Sequence, residues 1–158
     1  MTTIYDRLKS DHDIHRELLA NLAETSGDSS DRRKLWSSFY YDVGAHAAAE
    51  EEAFYAPRME ASKGQPKARH SVSEHHELDE MIQDIEGMDF SSPGWLARFK
   101  TMRERYEHHI DEEENEIFET ARKVLGADSS GEIAATFDTR KKKERSLVDK
   151  KAEAELEE

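Results

Sequence analysis

Apolar residues along this chain return every three or four positions, the period of helices that bury one face, and four long stretches carry it. The first stretch runs from about Thr3 to Glu24, with Ile4, Leu8, Leu19 and Leu22 on one stripe. The second spans about Arg32 to Ala61, with Trp36, Phe39, Val43 and Phe54 along one side. The third covers about Lys67 to Glu86, with Leu78, Ile82 and Ile85, and the fourth about Trp95 to Leu125, with Phe99, Met102, Tyr106 and Ile117. Short polar breaks separate them. The run Ser26 to Asp31 offers N-caps, Pro57 kinks or ends the second helix before the turn Lys63 to Pro66, Ser91 or Ser92 precedes Pro93, and Gly126 closes the fourth helix. Helices joined by such short loops pack antiparallel, which predicts an all-α, up-down-up-down four-helix bundle over residues 1–126. Residues 127–158 read as a short helical extension starting at Ser129 or Ser130, with Ile133 and Phe137, followed from Arg140 by a solvated charged tail.

The same stripes carry polar residues in a repeated register. His12 to His46 is 34 residues, and His75 to His109 is again 34. HAAAEE (His46 to Glu51) and HIDEEE (His109 to Glu114) both read His-x-x-x-Glu-Glu, an offset of 63 residues. At that offset SDHDIHRELLANL overlays SEHHELDEMIQDI, and Trp36, Phe39 and Val43 land on Phe99, Met102 and Tyr106. Two copies of one helical hairpin, related by an internal two-fold repeat, account for the pattern.

Composition narrows the chemistry. The 158 residues suit one domain with a thin core. The net charge of −13 argues against a nucleic-acid surface and against an anionic membrane. Without cysteine there is no disulfide, thiolate nucleophile, iron–sulfur cluster or Cys-type zinc site. The N-terminus lacks an apolar leader segment and no run is long enough to span a bilayer, which predicts a soluble, cytoplasmic protein.

What remains is the inward register of imidazoles and carboxylates. Residues four apart on a helix share a face, offset by roughly 40° and about 6 Å of rise, so His46 with Glu50 and His109 with Glu113 reach inward together. His12 and His75 join them from the edges of their own stripes. Two unpaired carboxylates in a low-dielectric core are costly, and bound cations are the usual compensation. Two metals bridged by Glu50 and Glu113 with terminal histidines fit this set, and nitrogen and oxygen donors without thiolate suit iron or manganese.

The order His, His-x-x-x-Glu, His, His-x-x-x-Glu on four helices resembles the hemerythrin family, in its HHE cation-binding branch, over about residues 4 to 125. The resemblance implies a non-heme di-iron centre with an oxo or hydroxo bridge, held by His12, His46, Glu50, His75, His109 and Glu113. It also implies a small oxidant as partner: peroxide, dioxygen or nitric oxide. Oxygen-carrying members place a fifth histidine one turn after the third-helix ligand, where this chain has Asp79. Reversible oxygen carriage is therefore disfavoured relative to peroxide decomposition, a catalase-like answer to oxidative stress. The other reading is an oxygen or nitric oxide sensor, or an iron buffer, without turnover.

Further candidates surround this set. His15 sits on the inward stripe where the repeat has Leu78, as a ligand, a hydrogen-bonding support for one, or a proton relay. His70 is a helix-entry surface histidine or an extra ligand. Tyr55, opposite Phe118 in the repeat, is a phenolate ligand or, from its position roughly 140° from Glu50 on an ideal helix, a packing residue. Glu51 and Glu114 repeat in register but face outward, toward solvent or as hydrogen-bond partners of ligands. His76 and His108 point to solvent.

Overall fold

The computed structural model describes residues 3–56, 65–125 and 130–157, and all its regular elements are helical. Helix α1 is Ile4–Ala23. Thr3 caps it by accepting from the Asp6 amide while the Asp6 carboxylate accepts from the Thr3 amide, a reciprocal pair that satisfies two orphan donors. Gly27, in the left-handed region at φ 61°, turns the chain, and Ser29 caps α2, Ser30–Glu50, by accepting from the Arg32 amide. A π turn, Glu51–Tyr55, continues α2. Helix α3 is Gln65–Glu86. Helix α4 is Trp95–Glu112, a second π turn Glu113–Ile117, and Phe118–Leu125. Gly94 rather than a serine stands at its N-cap. The expected kink at Pro57, the first half of the turn expected over Lys63 to Pro66, and the Gly126 cap lie outside the described residues; Gln65 and Pro66 already belong to α3.

The apolar side chains form two layers. One gathers Ile4, Leu8, Ala53, Phe54, Ile117 and Phe118; the other gathers Leu19, Leu22, Trp36, Phe39, Ile82, Trp95, Phe99 and Met102. Each layer draws on the start of one helix and the end of the next, as antiparallel neighbours must. The stripe positions between the two layers are the histidines and glutamates. The bundle is thus apolar at both ends with a polar band across its waist.

The C-terminal region corrects one expectation. Helix α5 is Ser130–Glu157, 28 residues long, so the expected short helix continues past Arg140, with Lys142, Lys143, Arg145 and Ser146 exposed on it. It packs along α1 and α2. Phe137 is fully buried under the Arg7 guanidinium, and Lys141, at 8% exposure, reaches Asp11 and Asp42. A charged composition conceals this docking because the ion pairs that permit it are tertiary.

Candidate metal centre

Six side chains converge at the waist. His46 and Glu50 come from the last turns of α2, His109 and Glu113 from the equivalent turns of α4, His12 from α1 and His75 from α3. Glu50 and Glu113 are fully buried. Two overlapping groups result: His12, His46, Glu50 and Glu113, and Glu50, His75, His109 and Glu113, in each of which one donor atom per residue lies within 4.8 Å of the others. The two glutamates belong to both groups. His46 Nε2 lies 3.0 Å from Glu50 Oε2 and His75 Nε2 3.3 Å from Glu50 Oε1; His12 Nε2 lies 3.1 Å from Glu113 Oε1 and His109 Nε2 3.4 Å from Glu113 Oε2. Donors about 2.1 Å from a shared tetrahedral ion stand about 3.4 Å apart, so this spacing is that of ligands around a cation. His12 Nε2, Glu50 Oε1 and Glu113 Oε1 are buried without a hydrogen-bond partner, an arrangement that a cation would resolve. The residues present therefore fit a metal.

Every one of the four imidazoles turns Nε2 inward and gives Nδ1 to a carboxylate. His46 Nδ1 meets Asp11 at 2.8 Å and His109 Nδ1 meets Glu74 at 3.1 Å. His12 Nδ1 meets Glu114 at 3.1 Å and His75 Nδ1 meets Glu51 at 3.3 Å. Such outer partners fix the tautomer and the ring orientation. The pattern crosses between the hairpins: Glu114 of the second serves His12 of the first, and Glu51 of the first serves His75 of the second. Glu51 and Glu114 thus support imidazoles. Asp11 and Glu74 add partners beyond the sequence expectation; the signal for them is that each directly precedes a histidine, 63 residues apart.

These carboxylates dominate the electrostatics. Burial works against charge on the imidazoles, yet Glu113 and Glu114 push His12 up to about 9, and Glu50 and Glu51 push His75 up to about 9. Burial also opposes charge on His109, but Glu113 and Glu74 push it up to about 10, and Asp11 and Glu50 raise His46. Glu113, though burial opposes its charge, is held well below the usual carboxylate range by His109 and His12. Protonated imidazoles thus balance the carboxylates, and a metal would replace those protons.

The remaining candidates separate. Tyr55 is not merely packed: its hydroxyl donates to Glu113 Oε2 at 2.5 Å. The π turn explains the correction, because the wider turn returns the side chain toward the Glu50 face. His15 stays outside both groups. Its Nδ1 takes a hydrogen bond from the Tyr106 hydroxyl at 2.6 Å and its Nε2 donates to Asp42 at 2.6 Å, with burial pulling the imidazole down to about 4 despite Asp42. His70 is 57% exposed and away from the waist, beside Glu74 and Glu112. His76 and His108 are exposed, as expected. A cavity of 440 Å³ opens onto His12, His46, His75 and His109 between α2, α3 and α4, with Val43, Leu78, Ile82 and Ile110 in its walls and Asp79 and Gln83 among its polar lining.

A helical bundle with a waist of buried histidines and shared carboxylates defines a cation-binding class of protein. The model of the hemerythrin HHE cation binding domain family matches residues 3–121, and the chain belongs to that family. It is 26% identical over 140 residues to a DNA nickase of Nostoc sp. (strain PCC 7120), covering 89% of this chain but only 39% of that protein. It is 25% identical over 145 residues to an uncharacterized hemerythrin-like protein of Schizosaccharomyces pombe, covering 90% of this chain and 70% of the other. Among solved structures, a hemerythrin HHE cation binding domain-containing protein from Mycobacterium kansasii superimposes with a TM-score of 0.81 over 93% of this chain and 90% of that one, at 21% identity. Among the described residues no helix is long and apolar enough to cross a membrane.

Proposed function

We propose that the protein holds two iron ions at the waist and decomposes hydrogen peroxide. The observation that carries this reading is the pair of four-residue groups sharing Glu50 and Glu113, each completed by two imidazoles from different helices. His12 and His46 would hold one ion, His75 and His109 the other, and the glutamates would set their separation. When bound, a di-iron pair supplies two electrons to one peroxide and recovers them from the next, so that two H₂O₂ become O₂ and two H₂O.

Each cycle consumes two protons at the first peroxide and releases two at the second, so the site needs a proton path. Tyr106, which lines the cavity, donates to neutral His15, which donates to Asp42 near the surface; a proton released in the cavity to the Tyr106 oxygen, as Tyr106 passes its own to His15 and His15 passes one to Asp42, moves one proton outward and leaves Tyr106 neutral. Tyr55 keeps a hydroxyl donor on Glu113. The apolar walls limit access to small or apolar molecules. The acidic surface argues against carrying over the nicking of DNA, since a net charge of −13 repels phosphates.

The test combines metal analysis, an absorption spectrum and oxygen evolution after peroxide is added. About two irons per chain with sustained oxygen release support the proposal. Two irons with a spectral change and no turnover would favour an oxygen or nitric oxide sensor, and little iron after anaerobic loading with Fe²⁺ would overturn the assignment.

A further inference from the structure

The two hairpins treat the carboxylate behind their second histidine differently. In the first, Asp11 supports His46, and cations cover its outer side: Arg7 Nη1 at 2.5 Å and Lys141 Nζ at 2.8 Å. In the second, Glu74 stands 63 positions on and supports His109, and the repeat puts His70 where Arg7 was. Helix α5 packs chiefly on the first hairpin, along α2 and α1. Among the described residues no lysine or arginine is paired with Glu74 or Glu112. Instead His70 Nε2 lies 3.3 Å from Glu74 Oε1 and 3.3 Å from Glu112 Oε1, with His108 Nε2 3.6 Å from Glu112 Oε2.

We propose that His70, Glu74 and Glu112, with His108 beside them, form a separate binding site for a divalent transition-metal cation on the outer face of α3 and α4. The three central side chains each offer one donor atom within 4.8 Å of the other two. The two separations from His70 Nε2, 3.3 Å each, match the edges of a coordination tetrahedron, about 3.4 Å for donors near 2.1 Å from the ion. Two carboxylates carry the charge that a divalent ion neutralises, and imidazole selects a transition metal over magnesium or calcium. The first hairpin supplies the internal comparison, for there Arg7 stands in the register of His70 and Lys141 of α5 adds an ammonium. A cation on Glu74 does for His109 what Arg7 and Lys141 do for His46: it balances the carboxylate that receives Nδ1. The site differs from the buried centre in exposure, since His70 is 57% and Glu112 22% exposed, so it fills and empties without opening the bundle.

The test titrates the iron-loaded protein with Co²⁺ and follows heat and visible absorption. One Co²⁺ per chain is expected beyond the iron already present. His70→Ala and Glu112→Gln are each expected to weaken that event at least tenfold while iron content stays unchanged. His70→Arg, which restores the cation of the first hairpin, is expected to abolish it and to leave the helical circular dichroism signal intact. No additional Co²⁺, or an additional Co²⁺ bound equally well by all three variants, overturns the proposal. Co²⁺ entering a vacancy at the waist would bind all three variants alike, so loss of the event in the variants is what assigns it to the outer site.

Discussion

The first hairpin, α1 with α2, and the second, α3 with α4, carry the same inner residues and different surroundings. His12, His46 and Glu50 face His75, His109 and Glu113 across the waist, and each imidazole has a carboxylate on Nδ1. Outside that ring the halves part. The first has His15 bonded to Tyr106 and Asp42, where the second has Leu78 in the cavity wall. Tyr55 places a hydroxyl on Glu113, where Phe118 offers only a ring. Helix α5 anchors on the first hairpin through Phe137, under Arg7, and Lys141, on Asp11. Holding cations is a symmetric task, satisfied twice by one motif. On the proposed function, moving protons and admitting peroxide are directional tasks, and the departures from the repeat fall on the His15 chain and the cavity wall.

That comparison can be broken first at its shared members. Glu50→Ala or Glu113→Ala removes a carboxylate common to both groups, so metal content should fall from about two per chain to one or fewer in either variant. Elemental analysis after anaerobic loading checks this, and two metals retained in both would refute the shared role.

The next effect is of pH on the metal-free protein. Its waist imidazoles are raised from an ordinary value of about 6.5 to about 9 at His12 and His75 and about 10 at His109. A raised folded-state value means that their contribution to stability is complete below about 6.5 and is lost as pH climbs through 9 to 10. Urea unfolding of metal-free protein should show stability falling across that window, while iron affinity rises as the competing protons leave. A flat profile would mean that these imidazoles are not charged in the metal-free fold.

The relay is tested by making the halves alike. His15→Leu copies Leu78 and should lower oxygen release from peroxide by at least tenfold, with metal content kept at two. An unchanged rate would remove His15 from the proton path. The α5 cover comes next. Lys141→Ala takes a buried partner from Asp11 and should cost about 1–3 kcal/mol in denaturant unfolding, because a charged group loses a hydrogen bond in the interior. His70→Ala at the equivalent corner of the second hairpin is exposed and should cost less than about 0.5 kcal/mol. Equal costs would show that α5 is not anchored through Asp11.

Much of the fold was legible because helical period and caps are local. Thr3 and Ser29 cap where their side chains can reach an amide three residues on, and the four stripes follow from the alternation of Leu, Ile, Phe and Trp with charge. The inward histidines and glutamates were legible because the same spacing occurs twice. Other features depend on contacts that no single segment announces. The π turns at Glu51–Tyr55 and Glu113–Ile117 follow from no propensity in EEAFY or EENEI, yet the first decides where Tyr55 points. Helix α5 reads as solvated because Lys141 and Arg145 are neutralised only by Asp11 and Asp42 from distant helices. Arg32, 2% exposed, is likewise buried by partners elsewhere in the chain: it donates to Thr25 and the Phe90 carbonyl and lies over the Trp95 ring.

The sequence by itself determined four amphipathic helices, a two-fold repeat, and the imidazoles and carboxylates that face inward, because each of these is set by spacing along one helix. The tertiary structure alone decided which carboxylate receives which imidazole, which of the two equivalent corners a lysine fills, and on which side of the waist the cavity opens. Those outcomes depend on how helices far apart in the chain come to lie against one another, and a register read along a single helix carries no information about its neighbour.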